Sequence, residues 1–462
     1  MSAATAPMAL APAPLAPATG RAPVARLTWL LSRPSAQSGA ALILPAIAFA
    51  VTTALMLIVL GGTLMFWSWT LEDTIDAPVY QLLSVIALAV LVIPLVSLGG
   101  AAARLSARRR DDRLATLRLL GATTATVSGM TVLESAGVAL VGALAGVVLF
   151  FALTPLVGLV SFGGGPIGAV QLLAAVPWIP VVVIGVALLA AVSAAVGLRQ
   201  VVVSPLGVRA RTDAPKLHWV RVVIAAAVIF AGFLALNVPA LQAGVMYAFV
   251  IAGVFGAGMA ALNALGPWLI GMFAKAQVKR AKTAPRLIAA RTVLESPKAA
   301  WRQVGGVAMT SFVAVVAGSA TALVGDIQDG EVLMRDILTG VLLTLAVSFA
   351  MVACSVGVNA AAAILDRRGL HVALDRIGMP RDVMEAARTR ATMAPLLFTV
   401  IASALVGGVL VFPLVGMAII IAPLSLLVIG LCFAAGITLV WLALRATRPV
   451  LTRVLAQPDR AE

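Results

Sequence analysis

The chain has few charged residues for its length. Asp, Glu, Lys and Arg make up 11% of the 462 residues, whereas hydrophobic residues make up 62%. A soluble globular domain carries roughly 25% charged residues, so this composition excludes that class of protein. The chain has two cysteines, Cys354 and Cys432, and two histidines, His218 and His371. These numbers exclude a disulfide framework, and two histidines in separate loops do not make a metal site.

Motifs for nucleotide binding and catalysis are also absent. The chain has no G-x-x-x-x-G-K-[ST] segment, which is the loop that cradles phosphates in P-loop proteins. No nucleophile, base and orienting group occur together in one region, so we expect no enzymatic activity in this chain. The apolar segments lack a series of Asp, Glu and His residues, and a proton-driven pump needs such a relay. The sequence therefore disfavours a secondary transporter.

The chain instead contains many long apolar segments. A helix needs about 20 apolar residues to cross the hydrocarbon core of a bilayer. Ten segments reach this length, which predicts an all-α polytopic membrane protein with about ten transmembrane helices. The predicted spans are residues 41–66, 81–103, 127–157, 172–198, 219–238, 244–274, 303–325, 337–364, 391–412 and 418–444.

The basic residues are distributed unevenly between the segments that join these spans. If both termini are in the cytoplasm, all of the 33 lysines and arginines except Arg335 fall on the cytoplasmic side. Cytoplasmic loops of membrane proteins carry such an excess, so this is the topology we expect. Residues 1–25 are rich in Ala and Pro, which predicts a disordered cytoplasmic tail. The net charge of +15 then belongs to membrane loops, and no nucleic acid partner is expected.

The two halves of the chain repeat one order of segments. Each half has a span, a short acidic loop, a second span, a basic amphipathic segment and two further spans. This repeat predicts two parallel four-helix modules of the same orientation, joined by a linker with two transmembrane helices. The predicted boundaries are residues 26–198 for the first module, 199–283 for the linker and 284–462 for the second module.

The basic segment of the first module, residues 108–121, has the sequence RRRDDRLATLRLLG. The second module contains a degenerate copy at residues 366–378, with the sequence DRRGLHVALDRIG. Leucines at every third residue of the first copy form an apolar stripe, and each copy ends in a glycine suited to a helix C-terminus. A stop-transfer charge cluster would explain one such segment, but two copies favour paired surface helices that dock a partner. The candidate contact residues are Arg110, Arg113, Leu114, Leu117, Arg118, Leu120 and Gly121, and in the second copy Arg368, Leu374, Ile377 and Gly378.

The third span contains the one acidic residue predicted to lie inside the membrane, Glu134. It either pairs with a basic residue, such as Arg388 or Arg390, or takes part in coupling or transport. The same span contains small residues that let helices approach closely in lipid, which predicts a helix contact. These small residues are Gly137, Gly142 and Gly146.

Residues 108–146, RRRDDRLATLRLLGATTATVSGMTVLESAGVALVGALAG, resemble the signature of FtsX-like permeases in the FtsX/MacB superfamily. In that family a basic segment leads into an LxxLRxLGAT run and then into a glycine-rich span. The span opens with a Leu-Glu pair, which is Leu133 and Glu134 here. The second copy is less similar, because other residues stand where the family has Leu, Arg and Ala-Thr. These residues are His371, Asp375, Met379 and Pro380.

The resemblance implies the membrane subunit of an ABC transporter whose ATPase is a separate polypeptide. The basic segments would be coupling helices seated in the ATPase, and one two-module permease would recruit two ATPase copies. ATP and Mg²⁺ would bind to the partner, so we expect no cofactor on this chain. The implied function is export of a hydrophobic or amphipathic substrate across a bacterial plasma membrane, with membrane lipids in contact with the chain.

The short outer loops differ from the family pattern. Many members carry a large extracytoplasmic domain between the first two spans of a module, whereas the loops here run only from about residue 67 to 80 and from 326 to 337. Such short loops are more consistent with a substrate that is bound within the bilayer than with direct binding of an external partner. The alternative function is a regulatory membrane protein of the FtsX kind, which transmits the state of the ATPase without transport.

Overall fold

The computed structural model describes residues 39–70, 76–89, 91, 124–202, 223, 227, 230–232, 234, 244–324, 331–366, 368–421 and 423–456. Almost all of these residues are helical, which confirms the predicted all-α class. Two short strands among them, β1 (Ser161–Phe162) and β2 (Gly165–Pro166), form an antiparallel hairpin. Eight of the described helices are long and apolar enough to cross a membrane, so this is a multi-pass membrane protein.

The eight apolar helices coincide with eight of the ten predicted spans. The other two predictions, residues 81–103 and 219–238, lie largely outside the described residues, so the count of ten remains a prediction. Residues Leu173–Trp178 form a 3₁₀ helix. In chain order the α-helices are α1 (Gly39–Ser68), α2 (Ala77–Ala89), α3 (Thr124–Val157), α4 (Ala169–Leu172), α5 (Ile179–Val202), α6 (Gly244–Lys279), α7 (Ala284–Glu295), α8 (Pro297–Val324), α9 (Glu331–Asp366), α10 (Arg368–Arg376), α11 (Arg381–Leu410), α12 (Phe412–Ile421), α13 (Pro423–Arg445) and α14 (Arg448–Ala456).

Proline and glycine set several of the helix boundaries. Pro297 is the first residue of α8, a position where the helix does not need the N–H that proline lacks. Gly378 follows α10 with a φ of +87°, which glycine adopts without steric cost. Its N–H bonds to the carbonyl of Asp375, and the N–H of Met379 bonds to the carbonyl of Leu374, both at 3.0 Å. This Schellman arrangement satisfies the last carbonyls of α10.

Helix α9 lies between the two halves of the chain. On one side, Val347 and Met351 of α9 pack in a cluster with Phe49 of α1 and Val183 of α5. On the other side, Phe349 of α9 belongs to a larger cluster that includes residues of α6, α8, α11 and α13. Burial of both sides fixes the position of α9 relative to each half.

The two ends of the helical body differ in composition. One end, which we call the basic end, holds α7, α10 and α14, the C-termini of α5, α6, α9 and α13, and the N-termini of α8 and α11. Every lysine and arginine among the described residues lies there except Arg335. The opposite end, which we call the aromatic end, holds the C-termini of α1 and α3, the hairpin, and the N-termini of α2 and α9.

The predicted loops at the aromatic end are too long. Helix α1 continues to Ser68, α2 begins at Ala77, and α9 begins at Glu331, so the helices extend into both loops. Asp336 consequently lies in the second turn of a helix rather than in a loop. Acidic residues near a helix N-terminus interact favourably with the free N–H groups there, which is why α9 begins before the apolar run.

Candidate functional site

At the aromatic end, a buried carboxylate joins the two halves of the chain. Asp336 of α9 is only 3% exposed. Its Oδ2 accepts a hydrogen bond from the hydroxyl of Tyr80 at 2.7 Å and another from the backbone N–H of Gly163 at 2.6 Å. Tyr80 belongs to α2, and Gly163 lies in the turn between β1 and β2. We call these three residues the Asp336 clasp.

Aromatic rings surround the Asp336 clasp. Phe66 stacks on Tyr80 with 5.5 Å between ring centroids, and it meets Trp69 and Phe162 edge-on at 5.2 Å. Gly163 has a φ of +63°, and a Cβ there would lie 3.2 Å from the Trp69 ring, so this turn requires glycine. The rings shield the carboxylate from water, and hydrogen bonds to an ionised group are stronger in such surroundings.

A cavity of about 140 Å³ lies beside the clasp, between the two halves. Its walls come mainly from α1, α2, α8 and α9 and are mostly apolar, with a few hydroxyl groups such as those of Thr63, Thr310 and Thr344. An apolar cavity of about 150 Å³ is large enough for benzene. The cavity therefore accommodates a small apolar group or part of an acyl chain, and a larger guest requires the halves to separate.

The same helix connects this cavity to the basic end. Helix α9 has 36 residues, which corresponds to about 54 Å at about 1.5 Å per residue. Asp336 lies near its first residue, and α10 begins two positions after its last residue. If α10 moved along the axis of α9, the displacement would therefore be transmitted through α9 to the Asp336 clasp.

Helix α10 exposes an apolar stripe at the basic end. Leu370, Leu374 and Ile377 are spaced by four and three residues, which places them on one helix face. Leu370 is 51% exposed and Ile377 is 82% exposed, while Leu374 is half-buried. Asp375, on another side of the helix, pairs with Arg381 at 3.5 Å. An exposed apolar stripe next to charged residues is typical of a surface that a partner covers.

The structure describes only the second of the two predicted coupling segments. Leu374 lies on α10, Ile377 follows it, and Gly378 forms the Schellman turn, while Arg368 is the first residue of the helix. The first segment lies outside the described residues, so its equivalence to α10 stays a prediction. Those residues are Arg110, Arg113, Leu114, Leu117, Arg118, Leu120 and Gly121.

Two of the three predicted packing glycines lie where α3 crosses α1. A Cβ on Gly142 would lie 2.6 Å from the backbone oxygen of Ala46, and one on Gly146 would lie 2.5 Å from that of Ala50. No side chain fits at such distances, so the contact depends on glycine. Gly137 does not take part, because a Cβ there would meet no described atom within 4 Å.

Glu134 is half-buried on α3, and it forms no hydrogen bond with Arg388. The three guanidinium nitrogens of Arg388 are buried and have no hydrogen-bond partner in the described part of the chain. Arg390 lines a separate cavity between α6, α7 and α11.

The sequence offered only a weak signal for the most connected polar residue of the site. Asp336 lies in the outer loop predicted at residues 326–337, and its position directly before a long apolar run is the one hint of burial. Tyr80 and Gly163 carried no signal, since neither belongs to a motif. Among the described residues, no group of three or more His, Cys, Asp or Glu side chains could hold a metal ion.

Residues 85–203 match the family described as FtsX-like permease C-terminal. The matched range includes residues 108–146, so it confirms the resemblance to FtsX-like permeases, and it also includes α3, the hairpin and α5. No curated protein matches the chain. The family match and the eight apolar helices together support a membrane permease component of an ABC-type system.

Proposed function

We propose that the chain is the permease subunit of an ABC exporter that removes hydrophobic or amphipathic molecules from the bilayer. One observation carries this proposal: α9 joins the apolar stripe of α10 to the Asp336 clasp beside an apolar cavity. A permease whose energy comes from a separate subunit needs such a connection between the surface that this subunit moves and the site that binds the substrate. The basic end would face the cytoplasm, since basic residues are concentrated in cytoplasmic loops.

The energy would come from a separate ABC ATPase, bound as two copies to one permease. One copy would contact α10, and the other would contact residues 108–121 of the first module. Helix-in-groove docking suits a short amphipathic helix whose apolar residues are exposed, as Leu370 and Ile377 are. ATP and Mg²⁺ would bind to the ATPase.

In this mechanism, closure of the two ATPases displaces α10 and with it α9. Asp336 then moves away from Tyr80 and Gly163, and the cavity opens at the aromatic end. Each hydrogen bond to a charged group contributes a net stabilisation of about 1.5–3 kcal/mol, so breaking both costs about 3–6 kcal/mol. Such a cost keeps the open state rare until ATP hydrolysis supplies energy.

The test of the proposal is Leu374→Asp, which places a charge in the predicted docking surface. We expect this variant to bind the ATPase at least about thirtyfold more weakly, because losing a buried anchor costs about 2 kcal/mol or more. Pull-down of the co-expressed ATPase and ATP hydrolysis in liposomes are the measurements. Gly369→Asp is the matched control, since it adds the same charge in the first turn of α10, where a Cβ meets no described atom within 4 Å.

Full ATPase binding and coupled hydrolysis in Leu374→Asp would remove the support for α10 as a coupling helix. In wild-type liposomes, export predicts that a hydrophobic substrate stimulates hydrolysis and accumulates on the far side of the membrane. ATP hydrolysis without any accumulation would favour the regulatory function instead.

A second prediction concerns the Asp336 clasp. Asp336→Ala leaves the Tyr80 hydroxyl and the Gly163 N–H without their partner, so we expect the free energy of unfolding to fall by about 2–4 kcal/mol. Hydrolysis should also lose its response to substrate, because α9 no longer restrains the first half. Tyr80→Phe removes one of the two hydrogen bonds and should show a smaller change in both melting temperature and stimulation. Equal values for Asp336→Ala and wild type would show that the clasp does not gate the cavity.

A further inference from the structure

A second and larger cavity lies at the basic end, and no predicted function uses it. Its volume is about 470 Å³, and its walls come from α6, α7 and α11. Phe273, Ala290 and Val293 contribute to an apolar floor, whereas Arg280, Arg286 and Arg390 contribute guanidinium groups. Gln277 is the other polar side chain in the lining.

No acidic side chain in the described lining neutralises the positive charge around this cavity. The lining contains no Asp or Glu. In the part of the chain that the structure describes, none of the three guanidinium groups forms a hydrogen bond or an ion pair, whereas those of Arg381 and Arg448 pair with carboxylates. Three unpaired guanidinium groups around one cavity favour an anion, and guanidinium matches the geometry of a phosphate particularly well.

An apolar surface continues from this charged cavity along α11. Arg390, Ala394, Leu397 and Ile401 follow one another at helical spacing, so they share one face. Leu397 is 41% exposed and Ile401 is 59% exposed. From Arg390 to Ile401 the helix rises about 16 Å at about 1.5 Å per residue, which is comparable with the length of an acyl chain.

The walls of the cavity are also held in place. Phe273 of α6 and Phe398 of α11 stack with 4.4 Å between ring centroids, which fixes the separation of these helices. A cavity with fixed walls, a cationic mouth and an apolar surface beside it suits a ligand with a phosphate and an acyl chain. A soluble anion would use the arginines but not the apolar face.

We propose that this cavity binds the headgroup phosphate of an anionic phospholipid, with an acyl chain along Leu397 and Ile401 of α11. The site lies where basic pockets between transmembrane helices meet the headgroup layer. This inference is independent of the exporter proposal, because it concerns a ligand of the membrane and not a transported substrate. Bound lipid would hold α7 against α6 and α11 and so stabilise the basic end.

The experiment is a titration of the purified full-length chain in nonionic detergent with phosphatidylglycerol, and separately with phosphatidylcholine. Binding is measured by native mass spectrometry and by the rise in melting temperature. We expect phosphatidylglycerol to bind and phosphatidylcholine to bind at least about tenfold more weakly, because only the first carries a net negative charge. Affinity should fall as salt is raised, since the arginines are exposed enough to be screened.

Arginine variants test which residues are responsible. Each of Arg280→Gln, Arg286→Gln and Arg390→Gln should weaken phosphatidylglycerol binding about fivefold, as expected for one cationic side chain at a lipid headgroup. Arg291→Gln is the matched control, because Arg291 lies on α7 but does not line this cavity. Ala394→Trp provides a second test, since it fills the cavity and leaves every arginine in place; it should also abolish binding.

Several results would overturn the proposal. Equal binding of phosphatidylcholine, or equal loss in Arg291→Gln, would show a general surface attraction instead of a site. Stabilisation by inorganic phosphate alone, to the same extent as by phosphatidylglycerol, would identify a soluble anion as the ligand. Unchanged lipid binding in the arginine variants together with loss of the ATPase would identify a protein-docking surface.

Discussion

Glycines in the two halves of the protein are used differently. In the first half they bring one backbone against another: Gly142 faces the backbone oxygen of Ala46, and Gly61 faces that of Leu172, each at 2.6 Å from a Cβ position. In the second half the closest approaches to glycines come from side chains, most of them aromatic rings. Gly436 faces the ring of Phe349, and other examples are Gly266 with Trp301 and Gly258 with Phe312.

This difference indicates how each half responds to added volume. A backbone that lies against a glycine cannot turn away, so the whole helix must move when a side chain is introduced. A ring that lies against a glycine can be replaced by a smaller side chain, and the contact can then be repacked. Glycine variants of the first half should therefore not tolerate a larger residue. In the second half, a compensating substitution of the neighbouring ring should rescue such a variant.

The largest effect should follow from Gly142→Leu. Its side chain meets the backbone of α1 and the Cβ of Phe49, so α1 and α3 must separate. We expect a destabilisation of at least about 3 kcal/mol, the upper part of the range for overpacking. Thermal unfolding in detergent is the measurement, and Gly137→Leu is the control, because it points at no described atom within 4 Å. A wild-type melting temperature for Gly142→Leu would mean that the two helices are not packed as described.

An intermediate effect is expected for Gly436→Ala. The new methyl group overlaps the ring of Phe349, which is 1% exposed, so we expect a loss of about 1–3 kcal/mol. Phe349→Leu should recover part of this loss in the double variant, although it destabilises the protein on its own. A double-mutant cycle from melting curves measures the coupling. Strictly additive effects would contradict the direct contact between these two residues.

The smallest effect should come from Gly407→Ala. A Cβ on Gly407 would lie 3.1 Å from the backbone oxygen of Phe312, so the neighbouring helix needs to yield by only a few tenths of an ångström. Alanine favours a helix over glycine by about 1 kcal/mol, which offsets much of this strain. We expect the melting temperature to remain close to that of wild type. Gly408→Ala serves as the reference, because its Cβ would meet no described atom within 4 Å.

The sequence predicted the features that depend on local composition. Apolar length located eight spans that coincide with described helices, and the distribution of basic residues distinguished one end of the molecule from the other. The terminal glycine of the second basic segment has the left-handed conformation that ends a helix. The resemblance over residues 108–146 agrees with the family match to residues 85–203. Each of these depends on residues that are close together in the chain.

Features formed by distant residues could not be predicted in the same way. Small residues in α3 indicated a helix contact, but not that Gly142 and Gly146 face α1 while Gly137 does not. The loop limits were misplaced because a helix can extend past the apolar run when its first turns carry favourable acids. Glu134 and Arg388 were predicted to lie at a similar depth in the membrane, which favoured a pair. A shared depth does not determine which helices are neighbours.

Length, apolar periodicity and charge determined by themselves that this is an all-helical membrane protein with one basic end, because insertion into a bilayer depends on segment composition. The tertiary structure decided which residues meet. It placed Asp336 against Tyr80, 256 positions away in the chain, and it gathered Arg280, Arg286 and Arg390 around one cavity. Such contacts depend on how whole helices pack, and helix packing is set by the shapes of both partners rather than by the sequence of either one.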